Sequence, residues 1–222
     1  MALIDPKNAT AVRQELDAAL TRPVTLVLFT TNDACAYCDV TRELLLELVA
    51  LHPRLQLRTY DLNTDATYAA TLAVDKAPAM VILGGVQEID YGIRYYGLPS
   101  GYEFATLLEA IRIVGTDQAA LQPATQAFLA TLTQPLHLQV FVTPSCPYCP
   151  RAAVLAYALA HASPHITADT VEVSEFPELG ERYHVMGVPR TVIAEAISVE
   201  GAVPEGMLLS KLSAALQAAA AN

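Results

Sequence analysis

The 222-residue sequence contains no tryptophan, only four cysteines and only 13 basic residues. The basic residues are scattered and outnumbered by 23 acidic ones, which gives a net charge of −10. Binding to nucleic-acid phosphates or to anionic membrane surfaces requires clustered lysine and arginine, so we expect neither partner. The sequence also lacks the glycine-rich motifs GxGxxG and GxxxxGK[ST]. We therefore expect no bound nucleotide or flavin.

Long hydrophobic runs are absent as well. No apolar stretch reaches the roughly 18 residues that a membrane-spanning helix needs. The first residues show no basic segment followed by an apolar one, as a secretory signal would. We therefore expect a soluble, cytoplasmic protein. In that compartment, paired cysteines are more often catalytic or metal-binding than structural.

The few cysteines that are present are highly organised. All four fall into two Cys-X-X-Cys pairs: Cys35-Ala36-Tyr37-Cys38 and Cys146-Pro147-Tyr148-Cys149. Each pair follows an apolar, strand-like run and precedes a helix-like stretch. Pro78 follows the first cysteine of its pair by 43 residues, and Pro189 follows the first cysteine of the other pair by the same number. The two sites share this cysteine-to-proline spacing and lie 111 residues apart, which indicates a duplicated redox module.

The apolar pattern repeats the same order of elements in both halves. In each half, this pattern predicts a helix, a strand, a helix that begins at the cysteine pair, a second strand, a short helix, a β-hairpin and a last helix. The polar stretch 115–122 predicts a boundary between domains 1–117 and 118–222. The alanine-rich end, 214–222, reads as a helix that frays. This order matches the thioredoxin fold, so we predict an α/β protein of two tandem thioredoxin folds. Each has a mixed four-stranded core sheet flanked by helices.

The position of each cysteine pair predicts the role of each sulfur. Residues three apart at a helix start lie on one face, so a disulfide can open and close with little backbone movement. Free amides and the helix dipole favour a thiolate at the first cysteine. We predict Cys35 and Cys146 as the exposed nucleophiles. Cys38 and Cys149 would lie deeper and resolve the mixed disulfide.

A proline that opens a strand facing the cysteines can form a cis peptide bond. It also leaves the preceding residue free to pair with an extended client peptide. An ordinary strand-opening proline is the alternative, but the identical offsets favour the functional interpretation. The two tyrosines within the redox loops are either substrate-facing or simply packed. We predict four substrate-binding residues: Pro78, Pro189, Tyr37 and Tyr148.

The charges near the two pairs differ. Asp33 and Asp39 flank the first pair, where their negative charge opposes thiolate formation, whereas Arg151 follows the second pair and favours it. We therefore predict that the thiol of Cys146 is more acidic than that of Cys35.

Several segments resemble one family. The run 143–150 (TPSCPYCP) and the run 183–189 (YHVMGVP) are similar to the protein disulfide oxidoreductases of thermophilic archaea and bacteria, which are glutaredoxin-like proteins with two domains. The segments 95–104 (YYGLPSGYEF) and 201–205 (GAVPE) resemble the family's segments after each hairpin. The resemblance spans nearly the whole chain.

The resemblance implies two tandem thioredoxin folds that reduce, form or exchange the disulfides of client proteins. It implies that the four cysteines are the redox residues and that Pro78 and Pro189 are cis-prolines. No cofactor would be bound, because electrons would come from a separate NADPH-dependent flavoenzyme of the thioredoxin-reductase type. The glutathione-binding pattern of glutaredoxins is missing, which argues against glutathione as the obligatory reductant.

The proton acceptor for the resolving thiols departs from the thioredoxin pattern. Thioredoxin carries a buried aspartate six residues before its first cysteine, and Phe29 and Val140 stand there in this sequence. The acceptor must therefore come from elsewhere, and the sequence offers three candidates: Glu172, Glu175 and Asp61.

Four other interpretations were weighed. Zinc binding by the two pairs is disfavoured, because 108 positions separate them, whereas zinc ribbons space their pairs by about 15 to 20 residues. His161 and His165 are spaced like metal ligands, but we expect a solvated helix end. The functional alternatives are an electron carrier that relays reducing equivalents to a peroxiredoxin, and a non-catalytic binding module.

Overall fold

The computed structural model describes residues 2–220, with side chains described up to residue 218. Eight helices and eight strands lie within this part of the chain. The helices are α1 (Pro6–Ala19), α2 (Cys38–Val49), α3 (Ala66–Thr71), α4 (Glu103–Thr116), α5 (Pro123–Leu129), α6 (Cys149–Ala162), α7 (Pro177–Arg182) and α8 (Glu205–Ala220). The strands are β1 (Val24–Thr30), β2 (Leu55–Asp61), β3 (Ala79–Gly84), β4 (Ile89–Tyr96), β5 (Leu136–Val142), β6 (Ile166–Glu172), β7 (Arg190–Ile193) and β8 (Ile197–Glu200).

The strands form one eight-stranded sheet with the order β2-β1-β3-β4-β6-β5-β7-β8. Each half contributes four neighbouring strands of mixed direction, so the predicted pair of thioredoxin folds is confirmed. The two sheets do not stand apart, however. β4 pairs in parallel with β6, with Ile93 opposite Ala168 and Tyr96 opposite Val171. This pairing removes an exposed sheet edge from each half and joins the two sheets into one. The junction between β4 and β6 is called the seam below.

The strand directions place both cysteine pairs at one edge of this sheet. β1 runs antiparallel to β3, β3 antiparallel to β4, and β4 and β5 each run parallel to β6. β1 and β5 therefore point the same way, and the loops that follow them open at the same edge. Four strand spacings separate β1 from β5, which corresponds to about 19 Å.

The helices cover both faces of the sheet, because the central strands are apolar on both sides. Leu26 and Leu28 of β1 join a large cluster on one face, while Val27 and Phe29 join a smaller cluster on the other. α4 and α6 pack against one another over the seam. Alanines at buried positions of α6, such as Ala153, let the two helices approach closely.

A polar network joins the two halves beyond the end of α4. Asp117, in the left-handed conformation with φ 57°, accepts hydrogen bonds from Arg22 (2.7 Å) and from the hydroxyl of Tyr91 (3.1 Å). The ring of His161 lies 3.1 Å from the same carboxylate and stacks on Tyr91 with a centroid distance of 4.5 Å. His161 is largely buried, so the expectation of a solvated helix end was wrong for this residue.

The alanine-rich end continues α8 to Ala220, and residues 221–222 of that expected segment lie outside the described part of the chain. Among residues 2–220, no helix is both long enough and apolar enough to cross a bilayer.

Candidate active sites

The first cysteine pair, called site 1 below, lies between β1 and α2. Cys35 and Cys38 form a disulfide with a Cα–Cα distance of 5.5 Å. Cys38 is the first residue of α2 and is buried, whereas Cys35 precedes the helix and is partly exposed. This arrangement has the reactive sulfur outside and the resolving sulfur inside, as the roles predicted from the sequence require.

The second pair, called site 2, repeats this arrangement between β5 and α6. Cys146 and Cys149 form a disulfide, again with 5.5 Å between their Cα atoms. Cys149 begins α6 and is completely buried. Cys146 is only 8% exposed, so the prediction that this sulfur is exposed was wrong, although Cys146 is still the more exposed of the two. The backbone N–H of Cys149 points at the Sγ of Cys146, 3.1 Å away. An amide in this position stabilises negative charge on that sulfur after reduction.

The two predicted prolines directly precede β3 and β7, the strands that pair with the strands leading to the cysteine pairs. The peptide bonds Ala77–Pro78 and Val188–Pro189 are both cis. The Sγ of Cys146 lies 3.7 Å from the carbonyl oxygen of Val188, so the proline loop borders the sulfur at site 2. The carbonyl groups of the two prolines have equivalent partners, because Pro78 accepts from the N–H of Gly97 and Pro189 from that of Gly201.

Tyr37 and Tyr148, the two tyrosines within the redox loops, both project into solvent. Neither is packed in the core, so the structure favours a role at the surface over simple packing. Each tyrosine lies within its redox loop, directly before the buried cysteine of the pair.

Asp61, at the end of β2, is partly exposed and lies next to the loop of site 1. It accepts hydrogen bonds from the backbone N–H groups of Thr64, Asn63 and Asn32, and the bond from Thr64 contributes most to lowering the pKa of Asp61. A carboxylate that holds its charge this firmly is a poor proton acceptor at neutral pH. The structure therefore does not favour this candidate.

The other two candidates lie together, with Glu172 buried at the end of β6 and Glu175 half-buried in the turn that follows. The backbone N–H of Glu175 donates to the carboxylate of Glu172 (2.9 Å), and the carboxylate of Glu175 accepts from the N–H of Leu98 (2.8 Å). One oxygen of each side chain has no hydrogen-bond partner among the described residues. Burial raises the pKa of Glu175 to about 7.

A third buried carboxyl group, that of Glu103, was not among the candidates drawn from the sequence. Glu103 begins α4, is fully buried, and has no hydrogen-bond partner at either oxygen within the described chain. Burial raises the pKa of this group to about 7, and the charge of Glu172 adds to the effect. Little in the sequence signals this residue, because a glutamate in the first turn of a helix is common for electrostatic reasons alone.

The segment that carries Glu103 belongs to the first half but forms part of site 2. The N–H of Tyr102 donates to the carbonyl oxygen of Pro144 (2.9 Å), two residues before Cys146. Gly101, at φ +59°, lies so close that a Cβ there would be 2.3 Å from the same oxygen. Site 2 therefore lies at the seam and is completed by the first half, whereas site 1 lies next to the edge strand β2.

Comparisons with known proteins point to the same fold. Residues 136–214 match a family model described as a thioredoxin domain. Among curated proteins, the F subunit of alkyl hydroperoxide reductase from Staphylococcus aureus is 23% identical over 177 residues, which is 80% of this chain. The same alignment covers 32% of that relative, so the chain spans about a third of the length of the curated proteins it matches.

Two solved structures match nearly the whole chain. The F subunit of alkylhydroperoxide reductase from Enterococcus faecalis (V583), in a C503A mutant, superposes with a TM-score of 0.86 and 26% identity, covering 94% of this chain and 99% of that one. A protein disulfide oxidoreductase from Aeropyrum pernix K1 also gives a TM-score of 0.86 and 26% identity, covering 94% and 92%. The resemblance to the two-domain protein disulfide oxidoreductases is confirmed.

Proposed function

We propose that this chain is a protein dithiol–disulfide oxidoreductase with two redox sites that act on client proteins. One observation carries the proposal: the first cysteine of each pair lies just outside a helix N-terminus and is more exposed than its partner, which is the buried first residue of that helix. This is the geometry that attack on a disulfide and resolution of the mixed disulfide require. The match to a disulfide oxidoreductase over 94% of the chain supports the same function.

The reaction can be written for site 2 in its reduced state. The thiolate of Cys146 attacks one sulfur of a client disulfide, which forms a mixed disulfide and releases the other client sulfur as a thiolate. Cys149 then gives its proton to a nearby carboxylate and attacks the Sγ of Cys146, which releases the second client thiolate. The client gains two electrons, and the protein is left with the Cys146–Cys149 disulfide seen here.

The buried carboxyl groups at the seam supply the proton acceptor in this scheme. Glu103 and Glu175 have a pKa of about 7, so each can take up and release a proton near neutral pH. Of these, Glu103 belongs to the segment that packs directly against the loop before Cys146. We assign it as the acceptor for Cys149.

The remaining assignments follow from this function. Cys35 and Cys38 perform the same steps at site 1, and the loops of Pro78 and Pro189 with Tyr37 and Tyr148 receive the client backbone and side chains. Residues 1–117 and 118–222 form the two domains. Re-reduction requires a separate NADPH-dependent reductase of the flavoenzyme type, and the protein acts in the cytoplasm.

An electron carrier is the second candidate function. Its support is the similarity to the F subunit of alkyl hydroperoxide reductase, which suits delivery of electrons to a peroxide-reducing partner such as a peroxiredoxin. Direct relay from one site to the other is disfavoured by the sheet order, since about 19 Å separates β1 from β5. Each site would then deliver electrons by itself.

The test compares two single-site proteins in an insulin-reduction assay. Cys146→Ser with Cys149→Ser leaves site 1, and Cys35→Ser with Cys38→Ser leaves site 2. We expect turnover by each protein and accumulation of a mixed disulfide when only the resolving cysteine is replaced. A strict requirement for both sites would favour the relay, and absence of any turnover would leave only a binding role.

A further inference from the structure

The duplication allows the residues around the two cysteine pairs, called the rims of the sites below, to be compared position by position. Residues 111 apart occupy equivalent places, because both cysteine pairs and both prolines are related by this offset. Three rim positions differ in the same sense: an aspartate at site 1 stands where site 2 has an apolar residue. The equivalent pairs are Asp33 and Pro144, Asp39 and Pro150, and Asp75 and Met186.

The rim of site 2 carries large exposed apolar side chains in addition to the exposed Arg151. Met186, three residues before the cis-proline, is 91% exposed, and Tyr148 within the redox loop is 63% exposed. The first half adds Tyr102, which is 53% exposed and whose backbone is hydrogen-bonded to the loop before Cys146. Large apolar side chains held in water around a reactive sulfur gain free energy when an apolar client segment covers them.

The rim of site 1 presents carboxylates instead. Asp75 is 76% exposed and Asp39 is 84% exposed. Asp33 is exposed as well and accepts a hydrogen bond from the side chain of Asn63 (2.9 Å). Asp61, at the same edge, keeps a lowered pKa and therefore its charge.

Two basic residues also lie at this rim, and they offset the charge of only two of its four carboxylates. Arg42 pairs with Asp39 at 2.6 Å on the flank of α2. Lys76 pairs with Asp75, but its ammonium lies 4.0 Å from the ring centroid of Tyr96 and its side chain is mostly buried. The carboxylates therefore dominate the exposed charge around Cys35.

We propose that the two sites select different polypeptide clients. Site 1 prefers disulfides flanked by lysine or arginine, because its carboxylates attract a cationic segment. Site 2 prefers disulfides flanked by large apolar residues, which pack on Met186, Tyr148 and Tyr102. This inference rests on the proposed function and extends it, since it names the client chemistry of each site.

The experiment uses the two single-site proteins and three synthetic peptides that share one intramolecular disulfide and differ only in flanking residues: lysine, glutamate or leucine. At low salt, the site 1 protein should reduce the lysine peptide about three- to tenfold faster than the glutamate peptide. This preference should collapse at about 0.5 M salt, because screening removes the attraction. The site 2 protein should prefer the leucine peptide, and salt should not abolish that preference.

Exchanging one equivalent pair of residues sharpens the test. Asp75→Met in the site 1 protein should weaken the preference for lysine, and Met186→Asp in the site 2 protein should weaken the preference for leucine. Both residues are exposed, so we expect both variants to fold. If both single-site proteins rank the three peptides alike, or if the exchange leaves the rankings unchanged, the inference is wrong.

A small uncharged substrate separates this failure from failure of the proposed function. Each single-site protein is also assayed with hydroxyethyl disulfide, which has no flanking residues. Turnover of this substrate with identical peptide rankings would overturn only the division of clients. No turnover of this substrate or of any peptide would overturn the proposed function, and the division of clients with it.

Discussion

Asp61 and Glu172 occupy the same position in the two halves, each as the last residue of the strand that pairs in parallel with the strand leading to a cysteine pair. β2 is the edge of the sheet, so Asp61 reaches water and the surrounding N–H groups hold its pKa low. β6 is internal, because it pairs with β4, and Glu172 is buried there. The same position of the duplicated fold is therefore in contact with water near site 1 and buried near site 2.

The first prediction concerns the pH dependence of folding stability. Burial raises the pKa of Glu103 in the folded protein to about 7, well above its value in the unfolded chain. Its contribution to stability is therefore complete at low pH and is lost as the pH rises through about 7. Between about pH 5 and pH 8, the wild-type protein should lose roughly 2–3 kcal/mol of unfolding free energy that Glu103→Gln retains.

Urea denaturation of both proteins across this pH range measures the effect. Glu175 also has its pKa raised to about 7, but it is present in both proteins and cancels in their difference. Parallel stability curves for the wild type and Glu103→Gln would show that Glu103 does not titrate in this range.

The second prediction concerns the catalytic role of the same residue. In the site 2 protein, Glu103→Gln should slow the attack of Cys149 on the mixed disulfide by about tenfold or more near neutral pH. The difference should shrink at alkaline pH, where the thiol ionises without help. Quenched-flow trapping of the mixed disulfide measures this step. The same substitution in the site 1 protein is the matched control and should leave its rate unchanged.

The third prediction concerns the acidity of the two nucleophilic thiols. Cys146 is followed five residues later by the exposed Arg151 and receives the N–H of Cys149, whereas Asp33 and Asp39 flank the pair of Cys35. The pH midpoint of iodoacetamide alkylation should be lower for Cys146 by about one pH unit. Midpoints are compared because Cys146 is the less exposed sulfur, which affects absolute rates. Arg151→Ala should raise the midpoint of Cys146 alone, and equal midpoints in the parent protein would contradict the prediction.

Most of the fold follows from the sequence because it depends on local pattern. Apolar periodicity gives the order of the elements, and the shared 43-residue offset relates each cysteine pair to its proline. The pairing of β4 with β6 does not follow, since both segments read as ordinary strands and nothing in their periodicity says which neighbour each will have. The burial of Glu172 depends on that pairing and could not be predicted either.

Two features of the structure could not be predicted from the sequence, and for the same reason. Glu103 resembles any first-turn glutamate, and His161 resembles any histidine at a helix end. Glu103 becomes distinctive through its burial close to Glu172 of the other half, and His161 through its contacts with Asp117 and Tyr91. Sequence patterns report the environment within an element, and these two environments are created between elements that lie far apart along the chain.

The last prediction tests whether the first half supports site 2. Gly101 has a positive φ and contacts Pro144 so closely that a Cβ would lie 2.3 Å from its carbonyl oxygen. Gly101→Ala should therefore destabilise the fold by about 2 kcal/mol or more and displace the loop before Cys146. Insulin reduction by the site 2 protein should fall, while the site 1 protein keeps its activity.

Gly201→Ala is the matched control, because this glycine also has a positive φ, +80°, but a Cβ there would meet nothing within 4 Å. Gly201→Ala imposes the same unfavourable backbone conformation but no steric clash, so it should destabilise the protein less than Gly101→Ala. Thermal unfolding and insulin reduction are measured for both variants. If Gly101→Ala lowers the activity of site 2 no more than Gly201→Ala does, the contact across the seam does not position the second redox loop.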